Sequence, residues 1–295
     1  MTQIDSGKFS VSVGVPNSDA FYLPADVCRH TRLWLPWPRE NSSLQAAVTS
    51  VIRAAAEFEP VSILAAPGSA ADVAAACGRD AREIVSLVHL SPRLRDTGPT
   101  FLVDGKGGSA AVDWRFNGWG GRGDPSDASL AHALLGAAEV RRFRAPLTLE
   151  GSNFVGDGRG TLLALASAVF DKGSNPALTQ IEALGFFQGW LGTEQVIWLP
   201  GSHPGDRLNT GISTLATFIA PGRVAITHPG DNALLAQISE RLQHAQDWSG
   251  KTLELIRFPA PTKGRGTLRH FLSYTNYLPV NGGLLVPAFD TPRDA

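Results

Sequence analysis

An internal repeat is the feature that most constrains how this chain folds. From about Asp96 onward, an alternating apolar hairpin, an amphipathic helix and a short apolar strand recur in the same order. The units start near residues 96, 150, 211 and 271, about 54 to 61 residues apart, a period typical of arrayed modules. Because each unit combines strands with a helix, the repeat predicts an α/β protein built from similar modules.

Each unit can be read directly from the sequence. The first is TFLVDGKGGSAAVDW, the helix SDASLAHALLGAAEV with a serine cap, and VRRFR. The second is NFVGDGRGTLLALAS, NPALTQIEALGFFQGWL and QVIWLP, and the third is TLATFIAPGRVAITH, DNALLAQISERLQHA and TLELIRFP. A fourth begins with the hairpin SYTNYLPVNGGLLVPAF, and DTPRDA stands where a helix and strand should follow. Upstream, TRLWLPWP, SLQAAVTSVIRAAAEF and VSILAAP predict a further strand–helix–strand module.

The units follow one another without a linker, a low-complexity tract or a charge block. The sequence therefore predicts an N-terminal extension over residues 1–20 and one domain over residues 21–295. If the modules form a ring whose last helix and strand are missing, a sheet edge is left open. We expect that edge, at residues 271–295, to be covered by a second copy, by another chain or by a strand from KFSVSVGV.

Composition limits the partners and the location. The 295 residues are 43% hydrophobic, enough to bury a large core. Their formal net charge is -1, so no broad basic surface attracts nucleic acid or an anionic membrane. No stretch reaches the roughly 18 apolar residues of a membrane span, and MTQIDSGKFS does not resemble a signal peptide. These features predict a cytoplasmic protein with a small-molecule or protein partner.

Cysteine usage argues against a metal centre. Cys28 and Cys77 are too few and too far apart for a zinc motif or a disulfide framework, and we expect neither a metal nor a cofactor. Cys77 lies in ADVAAACG, which predicts a buried position on an apolar helix. Packing is also the preferred interpretation of Cys28, which precedes a predicted strand.

Four segments resemble the agmatine deiminase family: FYLPADVCRHTRLWLPWP, RDTGPTFLVDGKGGSAAVDWRFNGWGG, LEGSNFVGDGRGTLL and SYTNYLPVNGGLLVPAFDTPRDA. Together they span nearly the whole chain. The resemblance implies a pseudo-five-fold α/β propeller, the pentein fold, with modules around a polar channel and an incomplete last module. It also implies hydrolysis of a C–N bond in a guanidino compound such as agmatine, a reaction of putrescine and polyamine synthesis.

Two acidic residues match the family's motifs. The resemblance implies that Asp96, in RDTGPTF, binds the guanidinium and that Glu150, in LEGSN, is the catalytic glutamate. A planar guanidinium requires carboxylates that accept its paired N–H groups. Each residue stands where one repeat ends and the next hairpin begins, so we expect both in one pocket. The alternative is that they cap turns or pair with local arginines such as Arg95.

Aromatic and imidazole side chains supply weaker candidates. Trp119, in FNGWGGRGD, corresponds to an aromatic residue near the family's active-site mouth, and an indole face can hold a cation. Core packing is the alternative for Trp119 and the preferred interpretation of Trp114. His30 lines up with a structural histidine of the family. His203, in PGSHPGD, could reach the space at Gly211, but a solvated loop position is the preferred interpretation.

The segment DRLNTGISTLATFIAPG departs from the family's pattern. Counting back from its final PG, Asn209 replaces an aspartate, Thr210 a glycine, Gly211 the catalytic histidine and Ser213 a second aspartate. Asp206 retains an acidic position of this loop. Asp206, Asn209 and Ser213 therefore stay candidates for binding, whereas Gly211 has no side chain to move a proton.

The family's catalytic cysteine follows the last helix and strand of the pattern, and no match to it occurs up to Ala295. We weigh three hypotheses. The chain binds a guanidino or similar cation without normal turnover, as a pseudoenzyme; or it is a repurposed enzyme that recruits Cys28, Ser213 or His203, or a partner chain; or it is a non-catalytic structural or regulatory subunit. Agmatine binding without ammonia release separates the first from the second, and stability that depends on a partner marks the third.

Overall fold

Strands and helices alternate along the chain in the predicted order. The computed structural model describes residues 14–39, 41–87, 92–201, 211–228, 230, 232–261, 272–292 and 294. The strands are β1 (Leu33–Pro36), β2 (Val61–Ala65), β3 (Glu83–Ser86), β4 (Thr100–Val103), β5 (Ser109–Arg115), β6 (Arg141–Thr148), β7 (Phe154–Gly156), β8 (Thr161–Leu165), β9 (Gln195–Leu199), β10 (Ala216–Ala220), β11 (Arg223–Thr227), β12 (Glu254–Phe258), β13 (Leu278–Val280) and β14 (Gly283–Leu285). The helices are α1 (Ser42–Ala56), α2 (Ala70–Cys77), α3 (Leu94–Thr97), α4 (Gly118–Gly121), α5 (Leu130–Ala138), α6 (Ala166–Val169), α7 (Gln180–Leu191) and α8 (Ala233–Gln243).

Three consecutive units share one topology. In each, an antiparallel hairpin is followed by a helix and by a third strand that pairs parallel to the second strand of the hairpin. The resulting sheets have the orders β4-β5-β6, β7-β8-β9 and β10-β11-β12. Because the helix carries the chain back across the sheet, the last pairing can be parallel. The predicted repeat and the α/β class are confirmed.

The upstream module is a parallel sheet of order β1-β2-β3. Helices α1 and α2 connect its strands, as the sequence predicts. The start of α1 is fixed by Asn41, whose side chain accepts a hydrogen bond from the Leu44 N–H at 2.9 Å. All five residues of β2 are buried, which fits a central strand of a parallel sheet.

The serine cap predicted for the first unit's helix is wrong. Helix α5 begins at Leu130, after a 3-10 turn at Ser126–Ser129, and its N-cap residue Ser129 makes no side-chain capping bond. Asp124 acts earlier instead, because its Oδ1 accepts the Ser126 N–H at 2.8 Å and turns the chain into the 3-10 segment.

Packing, rather than continuous hydrogen bonding, joins the units. A cluster around Trp114, Phe143 and Phe187 connects the first and second units, and another around Leu163 and Phe218 connects the second and third. Across the described ranges the strands form five separate sheets, with no closed sheet among them. The α/β assignment therefore stands, while the pseudo-five-fold closure stays a prediction.

The hairpin β13–β14 packs on the upstream module. Val280 belongs to the same buried cluster as Ile52 and Ala55 of α1. Next to it, the Asn281 N–H donates to Glu59 Oε1 at 3.1 Å, and Asn281 exchanges two 2.8 Å hydrogen bonds with the His30 backbone. These contacts hold the hairpin β13–β14 against the upstream module.

Part of this hairpin faces solvent. Leu284 and Val286 are 48% and 51% exposed, so apolar surface is present there, as expected of an uncovered edge. A homodimer or a partner chain at this surface stays a prediction. The proposed strand KFSVSVGV falls, except for Gly14 and Val15, outside the described residues. The division into residues 1–20 and 21–295 likewise stays a prediction.

No helix within the described ranges is long and apolar enough to cross a membrane.

Candidate functional site

The starts of the three repeated units lie side by side. Helix α3, which carries Asp96, contacts the 3-10 turn Gly151–Asn153 that follows Glu150, and that turn contacts the 3-10 turn Ile212–Thr214. The approach is close, because a Cβ placed on Gly151 would lie 2.5 Å from the Arg95 carbonyl oxygen. Only glycine fits there, which places Asp96 and Glu150 next to each other at the junction of two units.

Both carboxyl groups are buried, with 6% of Asp96 and 3% of Glu150 exposed. Glu150 Oε2 accepts a hydrogen bond from Asn153 Nδ2. At this junction three buried oxygens have no hydrogen-bond partner among the described residues: Asp96 Oδ1, Glu150 Oε1 and Asn153 Oδ1. All three are acceptors. Since unpaired buried acceptors are costly, a group rich in N–H or O–H donors would be stabilised beside them.

The pKa of Glu150 reflects this crowding of acceptors. Burial, and after it repulsion from Asp96, raise the pKa of the Glu150 carboxyl from 4.5 to about 7, against the opposing effects of the Asn153 hydrogen bond and the charge of Arg122. At neutral pH the group is therefore close to half ionised, a state suited to holding or moving a proton.

Trp119 lies directly beside Asp96. Its Nε1–H donates to Asp96 Oδ2 at 3.0 Å, and its half-buried ring meets the Phe116 ring edge-on at 4.9 Å between centroids. Arg93 completes the group: its Nη1 is 3.5 Å from Asp96 Oδ2, and its Cζ lies 5.5 Å from the centre of the Trp119 ring. An indole face that holds a guanidinium is thus present at the site.

The backbone around Trp119 is in an uncommon conformation. Trp119 has φ +55°, in the left-handed region that non-glycine residues rarely adopt, between Gly118 and Gly120, which also have positive φ. The Asn117 side chain fixes this turn by accepting the Gly120 N–H at 2.9 Å. Such strain persists only where the surroundings enforce it, and here it places the indole against Asp96.

The third unit begins without an acidic side chain. Gly211 packs against Ser152, since a Cβ on Gly211 would lie 3.1 Å from Ser152 Cβ. Ser213 donates its hydroxyl to Asn276 Oδ1 at 2.9 Å, and its carbonyl accepts the Thr275 hydroxyl at 2.8 Å. Ser213 therefore holds the segment before β13, and its hydroxyl is engaged there. His203, Asp206, Asn209 and Thr210 lie outside the described residues.

The remaining predictions have mixed outcomes. Cys77 is buried and Trp114 is a core residue whose Nε1–H donates to Thr100 Oγ1, as predicted. Cys28 is exposed, so its predicted packing role is wrong; it follows a turn rather than entering the strand. Desolvation by the surrounding protein raises the pKa of the Cys28 thiol, and Asp26 raises it further, so the thiolate is disfavoured.

The alternative that a carboxylate pairs with a local arginine holds for Asp96, whose Oδ2 lies 3.5 Å from Arg93 Nη1. Arg95 hydrogen-bonds Asp26 Oδ2 at 2.6 Å and the Gly151 carbonyl at 3.2 Å, and the charge of Asp26, followed by that of Asp96, raises the pKa of Arg95. His30 is structural, because its ring nitrogens face Glu59 Oε1 at 3.1 Å and the Asp26 carbonyl at 3.0 Å. Within the described ranges no group of His, Cys, Asp and Glu is arranged to hold a metal ion.

Sequence reasoning missed Asn153 and Arg93. Asn153 stands three residues after Glu150 in the same 3-10 turn, a spacing at which side chains of a turn meet. Arg93 stands three residues before Asp96, the same spacing in α3. Both signals were visible in the sequence as i, i+3 pairs with a candidate carboxylate.

Fold and site together define an α/β protein of repeated units with a buried, acceptor-rich acidic cluster where two units meet, and comparison with known proteins gives its family. The model for Porphyromonas-type peptidyl-arginine deiminase matches residues 22–295. An agmatine deiminase of Pseudomonas aeruginosa is 30% identical over 318 residues, which cover 95% of this chain and 86% of that protein. An agmatine deiminase of Stutzerimonas stutzeri is also 30% identical, with 95% and 86% covered.

Solved structures agree with the sequence relatives. The agmatine deiminase of Enterococcus faecalis superposes with a TM-score of 0.90 over 97% of this chain and 88% of that one, at 24% identity, which shows a common fold. The chain belongs to the agmatine deiminase family, within the Porphyromonas-type peptidyl-arginine deiminases. The residue-by-residue roles of Asp96, Glu150 and Trp119, and the place of Gly211 at the histidine position, stay predictions.

Proposed function

We propose that this chain binds the guanidinium group of a small cationic molecule between Asp96 and Glu150, without the ordinary turnover of a deiminase. The observation that carries the proposal is the set of three buried oxygens without partners, on Asp96, Glu150 and Asn153. A guanidinium is planar and offers several N–H donors and one positive charge. It supplies donors to a site that has acceptors, and it compensates carboxylate charge that is otherwise buried.

The relatives support the chemical class of the ligand. Those named agmatine deiminase indicate a linear guanidino compound, and agmatine is the first ligand to test. The Trp119 ring beside Asp96 already has the Arg93 guanidinium over it, with Cζ 5.5 Å from the ring centre, so this aromatic surface is of a kind that accepts a planar cation. In a pseudo-five-fold ring of modules, which we include in the proposal, this pocket would open toward the axis.

Slow or absent turnover follows from the residues at the third unit's start. Deimination requires a nucleophile for the guanidinium carbon and an acid/base group that protonates the departing ammonia. If Gly211 stands where the family has its histidine, that position supplies no acid or base. Glu150 alone, although its pKa is near 7, cannot also form the covalent intermediate that a thiolate provides. Cys28 is disfavoured as a substitute, because its pKa is raised.

A combined binding and turnover experiment tests the proposal. The purified chain is incubated with agmatine at neutral pH while ammonia release and ligand-induced thermal stabilisation are followed. We expect stabilisation that saturates with agmatine and no ammonia above a buffer control. Asp96→Asn should remove the stabilisation, whereas Asp72→Asn, at an exposed position of α2, should not.

Two outcomes would contradict the proposal. Absence of any agmatine-dependent stabilisation would exclude the guanidinium site. Ammonia release of even about one turnover per minute, lost on Asp96→Ala, would show that catalysis is retained, far above the uncatalysed reaction. Loss of that turnover on Cys28→Ala would identify a recruited nucleophile.

A further inference from the structure

Asn153 is hydrogen-bonded to Glu150 through both its backbone and its side chain. Its backbone N–H donates to the Glu150 carbonyl at 3.0 Å, and its side-chain Nδ2 donates to Glu150 Oε2. Asn153 is only 1% exposed and is the last residue of the 3-10 turn Gly151–Asn153. The two hydrogen bonds therefore hold its carboxamide against one particular oxygen of the Glu150 carboxyl group.

The two carboxyl oxygens of Glu150 have different surroundings as a result. Oε2 accepts the Asn153 amide, whereas Oε1 is buried and has no hydrogen-bond partner among the described residues. In a protonated carboxyl group one oxygen stays a carbonyl acceptor and the other becomes an O–H donor. Because the carbonyl oxygen is the better acceptor for an amide, the Asn153 hydrogen bond favours the proton on Oε1.

Both protonation states of Glu150 are populated near neutral pH. Burial, and after it repulsion from Asp96, raise the pKa of the Glu150 carboxyl to about 7. The Asn153 amide, the backbone N–H of Glu150 and the charge of Arg122 oppose the rise. Asp96 itself has Arg93 beside it, with Nη1 3.5 Å from Oδ2. An added positive charge at Glu150 would therefore favour the ionised form.

The other cations near this turn are already paired with acids. Arg122 lies 2.8 Å from Asp171, and Arg95 lies 2.6 Å from Asp26. The turn Ile212–Thr214 of the third unit, which packs on the same side, contains no charged residue. A cationic ligand is thus the charge that could change the ionisation of the carboxyl group.

We propose that Asn153 is a positioning residue that holds the exchangeable proton of Glu150 on Oε1, so that a guanidinium displaces this proton when it binds. This inference rests on the proposed guanidinium site and states how that site is coupled to pH. The ligand donates an N–H to Oε1 as the Oε1–H bond breaks and the proton passes to the buffer. Uptake of one positive charge is balanced by release of another.

Calorimetry measures the proton release directly. The purified chain is titrated with butylguanidine in buffers of different ionisation enthalpy between pH 6 and pH 8, and the difference in heat gives the protons released per ligand. Butylurea, which has a similar shape and no charge, is the matched ligand. The variants are Asn153→Leu, Asn153→Ser, Glu150→Gln and the control Asn17→Leu. Asn17 is exposed in the 3-10 turn Pro16–Asp19, so the control removes a carboxamide outside the site.

The unsubstituted chain should release about half a proton per butylguanidine at pH 7 and about a tenth at pH 8, because its carboxyl group is half ionised near pH 7. Both Asn153 variants lose a hydrogen bond that opposes protonation, so this profile should move up by about one pH unit. Release at pH 8 should then rise to about half a proton, and affinity at pH 7 should fall about fivefold. Asn17→Leu should leave profile and affinity unchanged, and butylurea should release no proton.

The outcomes separate this inference from the proposed function. If butylguanidine binds but the Asn153 variants leave the proton-release profile in place, the positioning role is overturned while the guanidinium site stands. Binding without proton release at pH 7, equal release with butylurea, or release that persists in Glu150→Gln would also overturn it. Serine is common in turns, so Asn153→Ser supplies a folded variant if Asn153→Leu does not fold. If butylguanidine does not bind the unsubstituted chain, the site and its proton coupling are both wrong.

Discussion

Three repeated units each begin with a short helical turn, but the side chains at these turns differ in chemistry. The first two place a buried carboxyl group at the start, Asp96 and Glu150, each with an oxygen that lacks a described partner. The third begins with Gly211, which packs against Ser152 and offers no side chain. The start of a unit therefore carries a buried carboxyl group in two units and a closely packed glycine in the third. Function in such a repeat depends on single residues and is independent of the shared fold.

The cost of the two arrangements differs. Burying Asp96 and Glu150 opposes folding, because unpaired acceptors lose water without gaining donors. The Gly211 turn has no such cost, since Ser213 and Thr275 satisfy each other across it. A group that is expensive to bury and unpaired in the free protein is one that a ligand can stabilise. We therefore expect ligand binding to change stability through Asp96 and Glu150. Substitutions at the Gly211 turn should have little effect on ligand binding.

The largest effect is expected at Asp96. Asp96→Asn keeps the shape but removes the charge that faces Arg93 and the Trp119 N–H. We expect agmatine or butylguanidine affinity to fall about 100-fold, roughly 2.7 kcal/mol, as is typical when a charge-assisted pair is lost. Calorimetric titration measures it. If the affinity of Asp96→Asn stayed within twofold of the unsubstituted chain, the ligand would bind elsewhere. The contrast between the two acidic unit starts and the Gly211 turn would then have no functional meaning.

An intermediate effect is expected at Glu150, with a pH dependence. Because its pKa is raised to about 7, affinity for a guanidinium should increase as the pH rises from 6 to 8 and the group ionises. Glu150→Gln should flatten this profile and weaken binding about tenfold at pH 8, with little change at pH 6. Glu240→Gln, at an exposed position of α8, should leave the profile intact.

Glu150→Gln should also change how the free energy of unfolding depends on pH. A carboxyl group whose pKa is higher in the folded state binds more protons when folded, so its contribution to stability falls as pH rises from 4.5 to about 7 and is constant above. Glu150→Gln should therefore stabilise the ligand-free chain at pH 8, by up to about 2 to 3 kcal/mol. Denaturant unfolding at pH 5 and pH 8 measures the difference. A stability loss at pH 8 would show that ionised Glu150 is compensated in the free protein.

The smallest effect is expected at Gly211. Its φ of -60° and ψ of 148° are accessible to any residue, and an added Cβ would be tight only against Ser152 Cβ at 3.1 Å. The contact and the reduced freedom of the unfolded chain act in opposite directions, so Gly211→Ala should change stability by less than about 1 kcal/mol. Ligand affinity should change less than twofold. A loss of ligand affinity of tenfold or more would mean that the ligand occupies the space beside Gly211. Asp96, Glu150 and the Gly211 turn would then form one site.

The sequence was a good guide to elements and a partial guide to the site. Alternation and helical periodicity located β4 to β12 within a few residues, because these signals are local and each unit repeats them. The Ser126 cap failed, since Asp124, two residues earlier, accepts the Ser126 N–H and the chain enters a 3-10 turn without a side-chain cap. Local competition of this kind cannot be ranked without geometry.

Contacts between units were harder to predict. That Asp96 and Glu150 lie together depends on Gly151 fitting against the Arg95 backbone, a contact between residues 56 positions apart. The family resemblance supplied the two acidic residues. It did not supply Arg93, whose importance lies in a position relative to the Trp119 ring that only the left-handed turn at Trp119 creates.

The hydrogen bonds that Asn281 forms with His30 and Glu59 have a consequence for the order of folding. Its hydrogen bonds join residues 251 positions apart, to the His30 backbone, and 222 positions apart, to Glu59. During synthesis the first module therefore emerges long before Val280 can complete its core. Closing so long a loop costs entropy that no local contact offsets, so this step should come late. The module of β1, β2 and β3 is therefore synthesised early but completes its packing late. Until Val280 packs on it, its apolar surface is accessible to chaperones and to other nascent chains.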